Sequence, residues 1–251
     1  MKRNVLDLLG AVALLILATF LAPLAAVMGS GAEELRPDIP RLSPQQKIDL
    51  IIAQMAKMQK EARTITAEFT MEKKMALLAS PVRAEGVLYV TKPDRIYWEV
   101  KEPTANTLIV NRDTLWMYYP TLRQVDKIDI SGKRNRLARY LELSDDGSII
   151  KENYKIQLLE NPGEQGIFLL ELLPKTSRMA KRVAKVRVWV DSGTWFFPRI
   201  DLWEPNGDYS SIRLKGAKLN APIPDGVYHF KPPPGTTVSE PLKSSPPRSE
   251  R

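Results

Sequence analysis

Between residues 43 and 62 the apolar positions recur at three- and four-residue spacing: Ile48, Ile51, Ile52, Met55 and Met58 fall on one stripe. The spacing predicts a helix over 43–62, opened by Ser43 as N-cap, Pro44 at the first helical position and Gln46 closing a capping box. From residue 64 the period drops towards two. Ile96, Trp98 and Val100 share one strand face, with Tyr97, Glu99 and Lys101 on the other. Residues 107–110 and 115–119 read as strands around a tight turn at 111–113, and 122–130 as a weaker strand. Helical spacing returns at 134–143, where Leu137, Tyr140 and Leu141 lie on one face and Arg134, Arg136 and Arg139 elsewhere. Strand-like runs resume at 154–159, 167–173, 183–190, 199–204 and 209–215. Turns separate them at 161–166, at 191–193 and at the hairpin signal Asn206-Gly207-Asp208. Half-buried strands repeated at short spacing predict a strongly curved antiparallel sheet or barrel. Beyond Pro232 the chain is rich in Pro and Ser without periodicity, and no regular structure is expected there.

The N-terminus changes this picture by adding targeting. Lys2 and Arg3 precede a run, 8–28, with no charged residue, followed by Ser30 and Ala32 placed for cleavage before Glu33. The run is longer than a usual signal core and long enough to span a bilayer, so residues 1–32 read as a signal peptide or an uncleaved anchor. Either way the bulk of the chain is expected outside the cytoplasm. Residues 33–42 form a Pro-containing linker. With no Cys among 251 residues, the exported part has no disulfide and relies on its core. The absence of Cys also excludes thiol catalysis and thiolate metal sites. The formal charge is +8, which keeps a soluble surface away from zero charge or attracts anionic membranes or an acidic partner. Nucleic acid is not an expected partner of an exported chain.

Candidate chemistry is sparse. His229 is the sole histidine, without an orienting partner or co-ligands, and is expected to be structural; no metal site and no cofactor are expected. Asp145-Asp146 precedes a Gly and reads as a turn; Asp126 and Asp129 read as solvent-facing charge. No phosphate-binding Gly loop, GxSxG or HExxH occurs, so the chain is not expected to be an enzyme. A hydrolase of envelope polymers or lipids using dispersed carboxylates is the remaining catalytic alternative. The five Trp, the eight Tyr and Met55, Met58, Met71, Met75 and Met117 are either ordinary core or the lining of an adaptable apolar pocket. The basic cluster Lys133, Arg134, Arg136 and Arg139 is a solvated helix face or a contact for phospholipid headgroups.

Taken in order, these segments resemble a known family. After the first helix comes the TITAEFTMEK phrase. Then follow Gly86, the apolar run Val87 to Val90, Lys92, Pro93 and Trp98-Glu99. Leu108 to Val110, Leu115-Trp116 and Tyr118 to Pro120 come next, and the phrase Tyr228 to Gly235 stands near the end. The order and spacing are similar to those of the periplasmic outer-membrane lipoprotein carrier proteins of the LolA type, over about residues 43–238, leaving 239–251 as a Pro/Ser-rich tail.

The resemblance implies an α+β, mainly β fold: an incomplete antiparallel β-barrel, a curved sheet with helices as a lid over an apolar cavity. It implies a monomeric periplasmic carrier that takes acylated lipoproteins from an inner-membrane ABC transporter to an outer-membrane receptor, without a cofactor. Expected cavity residues are Met55, Met58, Trp98, Leu108, Val110, Trp116, Tyr118, Leu137 and Leu141. The family commonly has Arg before the hallmark Pro, where it bonds backbone groups of the lid. Lys92 stands there in this chain, and a point charge in place of a planar five-donor fork implies a weaker lid latch or none. The long apolar N-terminus, the insert-like 172–183 and the tail also depart from the plainest members. They leave open other lipids as cargo and a membrane-anchored lipid-binding or envelope-sensing role for the same fold.

Overall fold

The structure, a computed structural model, describes residues 42–131, 148–159 and 165–240. The chain enters through helix α1 (Pro44–Glu61). Six strands follow: β1 (Thr64–Lys74), β2 (Val82–Thr91), β3 (Arg95–Glu102), β4 (Asn106–Asn111), β5 (Thr114–Tyr119) and β6 (Gln124–Asp129). After the short helix α2 (Ser148–Asn153) come β7 (Tyr154–Leu159), β8 (Ile167–Pro174), helix α3 (Ser177–Ala180), β9 (Lys185–Asp191), β10 (Arg199–Trp203), β11 (Tyr209–Leu219) and β12 (Thr237–Ser239). All twelve strands belong to one sheet, in the order β12-β6-β5-β4-β3-β2-β1-β11-β10-β9-β8-β7.

Two meanders, β1 to β6 and β7 to β11, are therefore joined through the antiparallel β1–β11 pair, the two longest strands. β7 and β12 remain as edges, so the curved sheet does not close. The period-2 pattern accounts for its two faces. Ile65, Ala67, Phe69 and Met71 of β1, Ile96, Trp98 and Val100 of β3, and Val186, Val188 and Val190 of β9 point to the concave side and are buried.

α1 lies on that side. The capping box forms as the sequence predicts: the Ser43 hydroxyl accepts from the Gln46 N–H at 3.3 Å, and the Gln46 side chain accepts from the Ser43 N–H at 2.9 Å. Its stripe Ile48, Ile51, Ile52, Met55 and Met58 is buried against the sheet in one continuous core cluster. The ends of α1 are fixed separately: Asp49 pairs with Lys151 of α2 at 2.7 Å, and the Arg63 N–H donates to Asn220 Oδ1 at 2.7 Å.

Gly86 has a steric cause. A Cβ there would lie 1.7 Å from the Glu99 carbonyl oxygen and 2.8 Å from the Phe69 ring. The missing side chain admits Phe69 to the neighbouring strand position, where its ring stacks on Trp98 with centroids 3.9 Å apart. A register shift in the β2–β3 pairing between Glu85 and Gly86, where β3 carries the extra residue Lys101, accompanies this approach.

The expectation of no regular structure beyond Pro232 is corrected. Thr237–Ser239 forms β12 and pairs in parallel with β6, Val238 opposite Val125. Three residues are too few to show a period, and the pairing comes from the edge that β6 leaves open. The insert-like 172–183 resolves into the end of β8 and α3, with Met179 and Val183 packed against the core. The predicted helix at 134–143 and the segment 1–32 lie outside the described residues.

Candidate functional site

The concave face between α1 and the sheet gathers most of the named candidates. Met55 and Met58 descend from α1, while Trp98, Leu108 and Val110 rise from β3 and β4, and all five belong to one buried cluster. Cross-strand pairing explains the sheet members: Trp98 stands opposite Leu108 and Ile96 opposite Val110. Leu88, Phe69 and Ile212 extend the same floor across β2, β1 and β11.

Trp116 and Tyr118 do not join it. The two-residue turn pairs Asn111 with Thr114, which puts Leu115 opposite Val110 and Met117 opposite Leu108. Leu115 and Met117 therefore pack against the concave cluster. Trp116 faces with Ile109, on the convex side, and Tyr118 with Thr107. There Phe230 lies over both rings, with centroids 5.5 Å and 5.4 Å away. Leu137 and Leu141 lie outside the described residues. The remaining tryptophans are divided as well. Trp195 stacks on Phe168 beside the concave cluster, whereas Trp189 and Trp203 are convex.

Three polar side chains of the buried interior carry atoms without a hydrogen-bond partner: both ends of the Gln59 amide, the Trp98 indole Nε1 and the Ser210 hydroxyl. Gln59 belongs to the last turn of α1, on the side that faces the sheet. Its burial was not legible in the apolar stripe, although it follows Met55 by four residues and so shares its face. Lys73, also fully enclosed, is paired with Glu204 at 3.3 Å.

Lys92 sits at the end of β2 beside the last turn of α1. Its Nζ donates to the carbonyl of Gln59, and its backbone N–H donates to the Arg63 carbonyl at 2.9 Å. Burial pushes the Lys92 amine down to about 8. A lysine in the hallmark position therefore makes a single side-chain contact with the helix, from a partly desolvated charge.

Next to this contact a cleft of about 440 Å³ opens between α1, the 194–195 turn and the end of β11, lined in part by Met58, Ala62, Trp195 and Leu219. A second cleft, about 350 Å³, is lined by charged side chains including Glu72, Arg83, Glu102 and Arg213. Among the described residues no three His, Asp or Glu side chains converge to hold a metal ion. His229 makes a backbone turn bond to Gly226, between the buried Tyr228 and the ring-stacking Phe230.

Residues 60–231, which include the sheet floor, the Lys92–Pro93 step and the start of the Tyr228 phrase, match the family model for outer membrane lipoprotein carrier protein LolA. The chain belongs to the LolA family. An outer-membrane lipoprotein carrier protein of Azotobacter vinelandii is 26% identical over 200 residues, spanning 78% of this chain and 91% of the relative. One of Dechloromonas aromatica is 24% identical over 180 residues, spanning 71% and 82%. Among solved structures, a conserved uncharacterised protein of Thermus thermophilus is similar in fold, with a TM-score of 0.50 at 10% identity, covering 78% of this chain and 99% of the other. The LolA hallmark residues thus have separable tasks here. Gly86 lets Phe69 reach Trp98, and Lys92 touches the helix; Trp98 floors the concave face.

Proposed function

We propose that this LolA-family chain is a periplasmic carrier that shields the acyl chains of outer-membrane lipoproteins between the inner and outer membranes. The observation that carries the reading is the concave face, a broad apolar floor covered by one amphipathic helix; in this reading the helix gives way to acyl chains. Each methylene taken out of water is worth about 0.8 kcal/mol, so acylated proteins need such a shield to cross an aqueous space. The cover must also yield. α1 contributes Ile48, Ile51, Ile52, Met55 and Met58, side chains whose contacts with the floor an acyl chain can replace without regard to direction. Met55, Met58, Trp98, Leu108 and Val110 are the lining residues in this reading, joined by Phe69, Leu88, Leu115 and Met117. Lys92 is the latch. The partners are an inner-membrane transporter that loads the carrier and an outer-membrane receptor that unloads it.

The test is purification of the protein from the periplasm with mass spectrometry of what it carries, together with an assay for release of acylated protein from inner membranes. Recovery of lipoprotein, and release that depends on the chain, is the expected result. An empty carrier that releases nothing overturns the reading.

A second reading is a membrane-anchored lipid-binding or envelope-sensing protein of the same fold, favoured by the uncharged run 8–28. The intact mass of the exported protein separates the two, since the tethered form keeps residues 1–32.

A further inference from the structure

The most exposed large apolar side chains of the described residues are Leu77 (97% exposed), Leu122 (54%), Leu78 (47%) and Val238 (46%). The topology puts all four at one end of the sheet. Leu77 and Leu78 belong to the β1–β2 loop, and Leu122 to the β5–β6 connection. Val238 lies in β12, beside that connection, because the Thr237 N–H donates to the Arg123 carbonyl at 2.8 Å. β1 ends and β2 begins at this end; so β3 and β5 also end there, and β4 and β6 begin there. The cleft beside α1 and the Lys92 contact lie at the opposite end.

The Leu77 loop is held, not loose. The Ala76 N–H donates to the carboxylate of the buried Asp208 at 2.9 Å, and the Leu78 N–H to the Met75 carbonyl at 2.9 Å. The seven residues 75–81 contain no charge, and their bonded backbone turns two leucines into solvent. Burying two leucines within the loop's own fold would be the ordinary outcome. Two adjacent leucines held in solvent by a bonded backbone form an apolar tip available for contact.

Charge identifies the contact. The β8–β9 connection at the same end exposes Lys175, Arg178, Lys181 and Arg182, with no acidic residue between Lys175 and Ala184. Lys74, Arg83 and Arg123 flank the two apolar tips. Several acids of this end are paired, Glu72 with Lys74 and Arg83, Glu204 with Lys73, and Asp208 with the Ala76 N–H. Glu85, Glu102 and Glu152 are exposed, so the excess of positive charge is local to 175–182. The apolar tips stand on separate loops along a rim and do not line a groove. That layout suits a broad, deformable apolar layer bordered by negative charge better than a folded partner with matched pockets.

We propose that this end of the sheet docks on an anionic phospholipid surface. Leu77, Leu78, Leu122 and Val238 enter the acyl boundary, and the 175–182 cations meet the headgroups. The cleft at the other end then faces away from the membrane. Docking of this kind is independent of the identity of the cargo.

The chain has no Cys, so single Cys labels can be placed in the full-length protein without background. A polarity-sensitive fluorophore is attached at L77C, at L122C and, as the control at the opposite end, at K218C. Each protein is mixed with vesicles of phosphatidylglycerol and phosphatidylethanolamine, or of phosphatidylcholine alone. The expected result is a blue-shifted emission and loss of iodide quenching at positions 77 and 122 with the anionic vesicles, and no change at 218. Because the labels report on the loops themselves, the result is independent of whether residues 8–28 tether the chain. Lys181→Glu and Arg182→Glu, on an exposed segment, should each lower the apparent affinity for anionic vesicles about fivefold or more, the effect of roughly one surface cation. If 77 and 122 stay as quenchable as 218 on anionic vesicles, the proposal is overturned. Shielding that appears only when envelope proteins are added also overturns it, in favour of a protein partner.

Discussion

The sheet has a cover on each side, and the two are held in opposite ways. On the concave side the body of α1 is seated by side-chain packing, with the Gln59 amide and the Trp98 indole nitrogen left unpaired. Its polar ties, Asp49 to Lys151, Arg63 to Asn220 and Lys92 to the Gln59 carbonyl, lie at its two ends. On the convex side the C-terminal segment crosses β2 to β5 and is tied at nearly every step. The Tyr228 hydroxyl bonds Thr91 at 2.8 Å, Asn111 donates to the Tyr228 carbonyl at 3.2 Å, and Arg95 pairs with Asp225 at 2.6 Å while lying 5.3 Å from the Tyr228 ring. β12 then joins the sheet. Directional bonds fix one position, whereas apolar packing with unpaired polar groups tolerates replacement. The physical difference is that the convex cover is tied into the fold by directional bonds, whereas the concave cover is the one we propose to be exchanged for cargo.

Tyr228→Ala challenges this contrast most severely. The side chain is buried and bonded, and its truncation should cost about 3–5 kcal/mol, as for other buried aromatics. Denaturant unfolding measures it, and a loss below about 1 kcal/mol would show that the convex cover is dispensable.

Gln59→Leu tests the other side with the opposite sign. It removes two unpaired buried polar atoms at similar volume, so stability should rise by about 1–3 kcal/mol, the desolvation cost of such groups. Uptake of an acyl-chain probe should slow in the same variant. Destabilisation would mean that Gln59 is paired in solution and that the concave cover is more specific than its packing indicates. Tyr228→Phe isolates a single tie of the strap. Losing the hydroxyl bond to Thr91 should cost about 0.5–1.5 kcal/mol in thermal or denaturant unfolding.

The smallest effect is the pH response of the Lys92 contact with α1. Lys92 is held at about 8 in the folded protein, below its ordinary 10.5, so between those values the unfolded state binds more protons. The folded state should therefore gain stability as pH rises from about 8 towards 10.5, with no pH dependence from this group below 8. Burial raises Tyr97 to about 12 and holds Tyr154 and Tyr228 above their ordinary value, so these phenols stay protonated through most of that window. Denaturant midpoints at pH 8, 9 and 10 should rise in the wild type relative to Lys92→Met. Parallel curves would show that Lys92 is solvated and does not latch α1.

The remaining convex surface, on β8 to β11, is neither strapped nor empty. Arg199 lies 4.0 Å from the Trp189 ring and grips Asp201 through two nitrogens, at 2.9 Å and 2.6 Å. Tyr209 and Ser211 add hydroxyl donors to the same carboxylate. Lys185 and Arg187 flank Trp203 at 4.6 Å and 5.2 Å. The aliphatic stems of these basic residues cover aromatic faces that would otherwise be wet. Here the tryptophans counted in the sequence as pocket or core turn out to belong to a solvent-side ladder.

Much of this was legible beforehand because it is local. The capping box at Ser43, the stripe of α1, the alternation in β3, β9 and β10, and the Asn206-Gly207-Asp208 turn, with Gly207 at φ +90°, depend on residues within a few positions of one another. The misassignment of Trp116 and Tyr118 had an available remedy. With Leu108 and Val110 on one face and a two-residue turn after Asn111, parity alone puts Leu115 and Met117 on that face and the two aromatics on the other. β12 and Gln59 had no such signal, since one is defined by the edge it meets and the other is a polar residue inside an apolar contact.

For α1 and for most of the strands, helix or strand followed from residue order alone, as did the family hallmark from Gly86 to Glu99, because backbone period and turn chemistry act over short separations; α2, α3 and β12 did not. Four outcomes instead waited on the assembled fold: the closure of β1 against β11, the face that looks inward, the Tyr228 strap over the convex side, and the shared rim of the leucine and valine tips. These depend on pairing and burial between residues far apart in the chain, and burial is a property of the assembled sheet.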